Sequence, residues 1–194
     1  AFSFFSLLFL HLTVNILNDV EDHLNLVDLP GDIGGSAVIQ KGWLSAKTLS
    51  RLAYGCLTAS IVFGSYPLLK YWHALLPLVL ASAIGALGYS GFWFRFKYRA
   101  LGDLVVFLLC GPLLVIGVSV ASFGKVSSGI LILGAVFGIA SVGILHANNL
   151  NDIEVDSARG AITVANQIGF KSSKKYLVWI YLLIVAMLGL GVHF

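Results

Sequence analysis

Two stretches of the sequence place amide and carboxylate side chains at the spacing of helical turns. Each begins with an asparagine followed by two aspartates: Asn15, Asp19 and Asp22 in the first, and Asn148, Asp152 and Asp156 in the second. On a helix, residues three or four positions apart lie on one face, with about 5–6 Å between successive Cβ atoms. Each stretch therefore predicts a line of oxygen donors along one helical face.

Carboxylates this close together repel one another unless a cation lies between them. Mg²⁺ prefers hard oxygen ligands, keeps several of its waters, and is commonly bound through one or two carboxylates together with substrate phosphates. The matched spacing of the two stretches therefore predicts a Mg²⁺ site that acts on a phosphate-bearing substrate. A solvated acidic rim at a membrane surface is the structural alternative.

The elements that must carry these side chains are long and apolar. Of the 194 residues, 58% are hydrophobic and 11% are charged, whereas a soluble domain carries about 25% charged residues. This composition excludes a soluble globular enzyme, a disordered chain and a disulfide scaffold. It predicts an integral membrane protein, because long uncharged apolar segments are stable in lipid and not in water.

Six apolar segments are long enough to cross a bilayer. They run approximately over Phe2–Leu17, Ala46–Leu69, Trp72–Trp93, Asp103–Phe123, Ser128–Ala147 and Lys175–Phe194. The segments are continuous and do not alternate apolar and polar residues, which argues for helices and against a barrel. The predicted fold is all-α, a polytopic transmembrane helix bundle that forms a single domain over residues 1–194.

The charged residues gather on one side of this predicted bundle. All nine acidic residues and every basic residue except Lys70 and Lys125 fall in loops or helix ends of that side. The excess of lysine and arginine predicts that it is cytoplasmic, with the protein in the cytoplasmic (inner) membrane. Both acidic stretches then lie at cytoplasmic helix ends, where they can face each other across a shared opening. The net charge of +3 comes from this mixed face and does not indicate nucleic-acid binding.

Other polar residues have structural interpretations beside functional ones. His146 is more typical of a helix-packing hydrogen bond than of a ligand or proton carrier, and Asp103 of a charge at a helix N-terminus or an ion pair. Gly134 and Gly138 form a pair of small residues typical of close helix packing. A divalent-cation transporter remains an alternative function, although no carboxylate lies in the middle of a predicted span.

Four segments in this order resemble the UbiA superfamily of intramembrane aromatic prenyltransferases. They are NILNDVEDHLNLVD (Asn15–Asp28), GGSAVIQKGWLS (Gly34–Ser45), KYRALGD (Lys97–Asp103) and NNLNDIEVD (Asn148–Asp156). The menaquinone branch, the 1,4-dihydroxy-2-naphthoate prenyltransferases, is the most similar. The resemblance implies a bundle of about nine spans, of which the six here would be the second to the seventh, with the first and last spans lacking.

The resemblance also implies a reaction and a set of site residues. The family transfers a polyprenyl group from its diphosphate to an aromatic ring, with membrane lipid around the isoprenoid chain. By resemblance, Mg²⁺ on the diphosphate would be bound by Asp19, Asp22, Asp152 and Asp156. The substrates would contact the amides Asn15 and Asn148, the basic residues Lys97, Arg99 and Arg159, and the ring of Tyr89, which would shield an allylic cation.

Several positions depart from the pattern of the family. Basic residues are common in the family at the positions that are here Ala37, Asn151, Ala161 and Ile162. The predicted metal ligands are therefore complete, while the cations expected around the diphosphate are fewer. This departure motivates an alternative function, a non-catalytic UbiA-like subunit that binds a quinone, pigment or lipid within a larger membrane complex.

Overall fold

The computed structural model describes residues 2–24, 36–90, 94–158 and 160–191 of the chain. Its helices are α1 Phe2–Leu24, α2 Ala46–Lys70, α3 Trp72–Ser90, α4 Gly102–Leu108, α5 Leu114–Phe123, α6 Ser128–Asn151, α7 Ile153–Ala158 and α8 Val164–Gly191. A short 3₁₀ helix covers Phe96–Tyr98, and a π-helical segment, Leu109–Leu113, joins α4 to α5. No β-strand forms within these residues.

Six of the helical segments are long and apolar enough to cross a membrane. They are Phe2–Leu24, Ala46–Lys70, Trp72–Tyr89, Gly102–Phe123, Ser128–Asn151 and Val164–Gly189. The predicted all-α polytopic bundle is confirmed. The chain divides into two compact units, residues 1–72 and 73–194.

The first unit is built on an antiparallel pair formed by α1 and α2. Ser6 and Ser60 each donate a side-chain hydrogen bond to the other's backbone carbonyl, at 2.9 and 2.8 Å. Further along α1, the rings of Phe9 and Phe63 stack with centroids 5.8 Å apart. Ser45 caps the start of α2 by accepting a hydrogen bond from the Thr48 backbone N–H, which satisfies one of the donors left unpaired at a helix N-terminus.

In the second unit, α6 packs closely against the kinked segment between α4 and α5. Gly111, next to Pro112, has non-helical backbone angles, and a Cβ added to it would lie 2.5 Å from the Gly134 carbonyl oxygen and 2.6 Å from the Cα of Gly138. Only glycines allow backbones to approach this closely. The predicted packing role of Gly134 and Gly138 is therefore confirmed.

Helix α8 begins well before the predicted sixth span. The apolar pattern predicts a span that begins at Lys175, whereas the helix begins at Val164. Thr163 and Asn166 cause this start through reciprocal bonds: the Thr163 backbone N–H donates to Asn166 Oδ1 and the Asn166 N–H donates to Thr163 Oγ1. This is a capping-box arrangement. Gly169, at φ +76°, then breaks the helical backbone of α8.

The surface of the spans is apolar, and part of their interior is polar. Leu69 is 78% exposed and Trp179 is 69% exposed, which suits side chains surrounded by lipid. Conversely, Thr13, Asp103, His146 and Ser173 are buried. The exposed apolar side chains, the buried polar ones and the six apolar helices together identify an integral membrane protein.

Candidate functional site

The first acidic stretch lies on the last turns of α1. The helix continues without a break to Leu24, so Asn15, Asp19 and Asp22 share one face as predicted. Asn15 is exposed and the two aspartates are half-buried. The Asn15 amide donates a hydrogen bond to Nε2 of His11, one turn earlier, at 2.9 Å. This bond uses one of the two amide N–H groups and fixes the orientation of the Asn15 carbonyl oxygen, which is the atom of this side chain that can bind a cation.

The second acidic stretch spans a helix break that the sequence did not predict. Helix α6 ends at Asn151, Asp152 has φ −101° and ψ +10°, and α7 begins at Ile153. The helical spacing nevertheless survives the break, because Asp152 N–H donates to the Asn148 carbonyl at 3.1 Å and Asp156 N–H to the Asp152 carbonyl at 2.8 Å. Asp152 therefore lies at the junction of α6 and α7, and Asp156 lies on α7, instead of both lying on one straight helix.

These donors are at the accessible ends of their helices. Asn148 and Asp152 are exposed, and Asp156 is half-buried. Among the described residues, no three His, Cys, Asp or Glu side chains already converge as a cation site.

The loop before α4, residues 94–101, contains Arg95, Lys97 and Arg99 and is called the basic loop. Its backbone is constrained. Arg95 and Ala100 adopt left-handed φ values of +51° and +55°. The ring of Tyr98 lies under two cations, with Arg95 Cζ 4.8 Å and Lys97 Nζ 5.5 Å from its centroid. Cation–π contacts of this kind hold flexible basic side chains near an aromatic surface. The loop therefore concentrates positive charge in a defined backbone shape.

This basic loop is joined to the loop that follows the second acidic stretch. Arg99 forms an isolated parallel bridge with Ile162, and the Ala100 N–H donates to the Ile162 carbonyl oxygen. The structure thereby brings Arg99 into direct backbone contact with the segment after α7. Arg159 lies outside the described residues.

Tyr89 and Lys97 lie together beside the start of α4. A Cβ added to Gly102 would be 3.8 Å from both Tyr89 Cε2 and the Cα of Lys97. Tyr89 is half-buried. Two of the predicted substrate-binding residues are therefore neighbours in the second unit.

The neutral positions differ in their surroundings. Ala161 is 8% exposed, and its carbonyl accepts a hydrogen bond from the Asn166 side chain. Ile162 is 48% exposed, and Asn151 is exposed as well. Ala37 has a left-handed φ of +55° in the loop before α2. A basic side chain thus has room at Ile162 and Asn151, and little room at Ala161.

A polar cluster next to the second acidic stretch was not predicted as a cluster from the sequence. His146 is 0% exposed, its Nδ1 lies 3.5 Å from Asp103 Oδ2, and its ring meets Tyr176 edge-on at 4.6 Å between centroids. Tyr176 is half-buried beside this pair. Asp103 lies in the first turn of α4, as expected for a helix N-terminal charge, and its approach to His146 is an ion pair only when the imidazole is protonated. Tyr176 was not singled out. The signal available in the sequence was the position of His146 between the apolar residues Val142 and Leu150 on one helical face.

Comparison with known proteins shows which protein family the chain resembles. The UbiA prenyltransferase family matches residues 1–194 of the chain. A 1,4-dihydroxy-2-naphthoate octaprenyltransferase of Haemophilus influenzae is 30% identical over 168 residues, covering 84% of this chain and 54% of that protein. Human UbiA prenyltransferase domain-containing protein 1 is 33% identical over 115 residues, or 59% of this chain and 33% of that protein.

The same similarity extends to distant organisms. The UbiA prenyltransferase domain-containing protein 1 of Dictyostelium discoideum is 32% identical over 108 residues, which is 56% of this chain and 33% of that protein. No solved structure matches the chain significantly. The chain spans about half the length of the bacterial relative and about a third of the length of the two eukaryotic ones. A match over its whole length, together with six membrane helices and two acidic helix ends, shows that the chain belongs to the UbiA prenyltransferase family.

Proposed function

We propose that the protein transfers a polyprenyl group from its diphosphate to an aromatic acceptor similar to 1,4-dihydroxy-2-naphthoate, in a Mg²⁺-dependent step of quinone biosynthesis. The observation that carries the proposal is the repeated donor set at two helix ends, one on α1 and one at the junction of α6 and α7. The naphthoate octaprenyltransferase of Haemophilus influenzae supports the class of acceptor.

In this proposal the acidic residues bind the metal and the amides bind the substrate. Asp19, Asp22, Asp152 and Asp156 are the metal ligands, with Asn15 and Asn148 beside them on the same faces. Mg²⁺, when bound, would neutralise charge on the departing diphosphate. The Asn15 amide, oriented by His11, presents its carbonyl oxygen in one direction, so less side-chain entropy is lost on binding.

The basic loop supplies fixed positive charge to the diphosphate. Lys97 and Arg99 lie on a segment whose backbone is tied to Ile162, and preorganised cations stabilise developing negative charge better than mobile ones. Arg159 belongs to the same proposed set. As the allylic C–O bond breaks, its electron pair leaves with the diphosphate, and Tyr89 shields the carbon cation with its ring. The acceptor carbon then supplies the electron pair of the new C–C bond. The same carbon loses its carboxylate as CO₂, and the electron pair of the broken C–C bond returns to the ring and restores its aromaticity.

The membrane location follows from the substrate. A polyprenyl chain is as apolar as the spans of this protein, so a lipid-embedded enzyme meets it without extracting it into water. We place the acidic helix ends on the cytoplasmic side of the inner membrane, where a diphosphate head group is accessible. The distribution of lysine and arginine in the loops supports this orientation.

A second candidate is a non-catalytic UbiA-like subunit that binds a quinone, pigment or lipid in a larger membrane complex. The observation in its favour is the neutral set Ala37, Asn151, Ala161 and Ile162. Fewer cations near the diphosphate weaken its binding and the stabilisation of its charge. Co-purification in fixed stoichiometry with other subunits, without turnover, would favour this candidate.

Product analysis decides between the two. The full-length protein in liposomes with Mg²⁺ is given farnesyl, geranylgeranyl or octaprenyl diphosphate together with a panel of aromatic acids. We expect a prenylated naphthoquinol product, identified by mass spectrometry, with one diphosphate released per product. Absence of product with every donor and acceptor, from protein that is folded by circular dichroism, would exclude the enzymatic proposal.

A further inference from the structure

Three helices of the second unit meet where the buried Asp103 on α4 and His146 on α6 pack with the half-buried Tyr176 on α8. We propose that His146 is a positioning residue for the second acidic stretch. Its contacts with Asp103 and Tyr176 fix the rotation of the end of α6 about its own axis. This inference rests on the proposed function, because it assigns His146 a role in binding the metal and diphosphate.

Burial excludes a direct role of His146 in the reaction. Its side chain is 0% exposed, and apart from the approach to Asp103 neither ring nitrogen has a hydrogen-bond partner in the described part of the chain. An apolar cavity of about 280 Å³ beside the cluster is lined in part by Asp103 and Tyr176, and His146 is not among its lining residues. A ligand in that cavity therefore does not reach the imidazole.

The geometry of α6 connects the cluster to the acidic stretch. At about 100° per residue, Asn148 and Asp152 lie about 200° and 240° around the helix from His146. The structure agrees with this placement, since His146 is buried while Asn148 and Asp152 are exposed. A rotation of the helix end that moves His146 away from Asp103 therefore turns both oxygen donors by the same angle.

The cluster also adjoins the other parts of the proposed site in this unit. Asp103 follows directly on the loop that carries Lys97 and Arg99, and α8 follows the Ile162 segment bonded to that loop. All three helices that meet at His146 therefore lead into predicted binding residues. Buried charged and polar pairs are seldom better for stability than apolar side chains of the same volume. The orientation that the cluster gives to the end of α6 explains why polar side chains lie inside an otherwise apolar bundle.

The test measures metal binding separately from turnover. Full-length protein in detergent receives Mn²⁺ as the probe and farnesyl thiolodiphosphate, a poorly reactive donor analogue, and free Mn²⁺ is followed by electron paramagnetic resonance. His146→Leu removes the polar contact, whereas His146→Asn keeps a donor close to the position of Nδ1. Val142→Ala, a buried apolar truncation one turn earlier on the same face, is the matched control for lost packing.

We expect His146→Leu to weaken Mn²⁺ binding about tenfold and to lower kcat, as removal of a group that orients a metal ligand commonly does. His146→Asn should restore the affinity to within about threefold of the unsubstituted protein. Val142→Ala should lower the unfolding temperature while leaving the Mn²⁺ affinity unchanged. If His146→Leu does not fold, Tyr176→Leu replaces it, and a loss of affinity of about threefold is expected because the ring that packs edge-on against His146 is removed.

The outcomes separate this inference from the proposed function. If the unsubstituted protein does not bind Mn²⁺ with the analogue, the proposed function is overturned and the inference falls with it. If the unsubstituted protein binds Mn²⁺ and the folded variants at His146 or Tyr176 bind it equally well, only the inference is overturned. An equal loss of affinity in Val142→Ala would also overturn it, because the effect would then reflect packing alone.

Discussion

The Nδ1 atom of His146 lies 3.5 Å from Oδ2 of Asp103, and the imidazole is completely buried. A histidine and an aspartate removed from water lose hydration free energy that their own attraction only partly returns. Such pairs inside membrane segments are rare and mark functional regions. The pair joins α4 to α6, the helix that leads directly to Asp152, and so connects the membrane interior with the acidic helix end.

Asp152→Asn should abolish turnover and leave the fold intact. The carboxylate is exposed at the break between α6 and α7, so its removal costs little stability, whereas the loss of one metal ligand should reduce kcat by on the order of 10²-fold or more. Glu154→Gln is the matched control, since Glu154 is an exposed neighbour on another face of the segment. Diphosphate release and thermal unfolding would be measured on both. Equal activity of the two variants would contradict the assignment of Asp152.

His11→Leu should weaken substrate or metal binding modestly. The substitution removes the acceptor that holds the Asn15 amide. A hydrogen bond of this kind contributes about 0.5–1.5 kcal/mol, so the apparent dissociation constant of Mg²⁺ should rise by roughly two- to tenfold. His11→Gln keeps an acceptor and should retain most of the affinity. Identical Mg²⁺ titrations for the two variants would show that the orientation of Asn15 is unimportant.

Gly138→Ala should destabilise the second unit. An added Cβ would lie 2.6 Å from the Phe107 carbonyl oxygen, and relief of such overpacking requires backbone shifts that cost about 1–3 kcal/mol. Gly117→Ala is the control on the neighbouring helix, because a Cβ there meets no atom within 4 Å. Unfolding temperatures in one detergent would compare them. A smaller decrease for Gly138→Ala than for Gly117→Ala would contradict the close packing of α6 against α4.

Ile162→Arg should strengthen binding of a prenyl diphosphate. The side chain is 48% exposed next to Arg99, so an added guanidinium has room, and one charge-assisted contact would lower the KM of the donor by about tenfold. Ala161→Arg should instead reduce stability, because that position is 8% exposed. Initial rates at varied donor concentration test the first variant. An unchanged or higher KM would place the diphosphate away from this loop.

Helical spacing made the first acidic stretch predictable. The sequence between Asn15 and Asp22 contains no glycine or proline, and α1 accordingly continues through it to Leu24. The pair Gly134 and Gly138 was predictable for a similar reason, since residues four apart share a face whatever the tertiary structure.

Other features depend on contacts that spacing does not encode. The break at Asp152 occurs without a proline or glycine in the segment, and we have no physical account of its exact position. The early start of α8 depends on the reciprocal bonds of Thr163 and Asn166, a polar signal that the pattern of apolar residues does not contain. The cluster of Asp103, His146 and Tyr176 requires three helices to pack together, so its composition emerges only from the tertiary structure.

The most direct test of the proposed function is the rate of diphosphate release by the full-length protein in liposomes. Octaprenyl diphosphate and 1,4-dihydroxy-2-naphthoate would be supplied with Mg²⁺, and the rate compared with that in EDTA and with those of Asp19→Asn and Asp152→Asn. The account predicts release that requires Mg²⁺ and falls by on the order of 10²-fold in each variant. Release that persists in EDTA, or that survives either substitution unchanged, would contradict it.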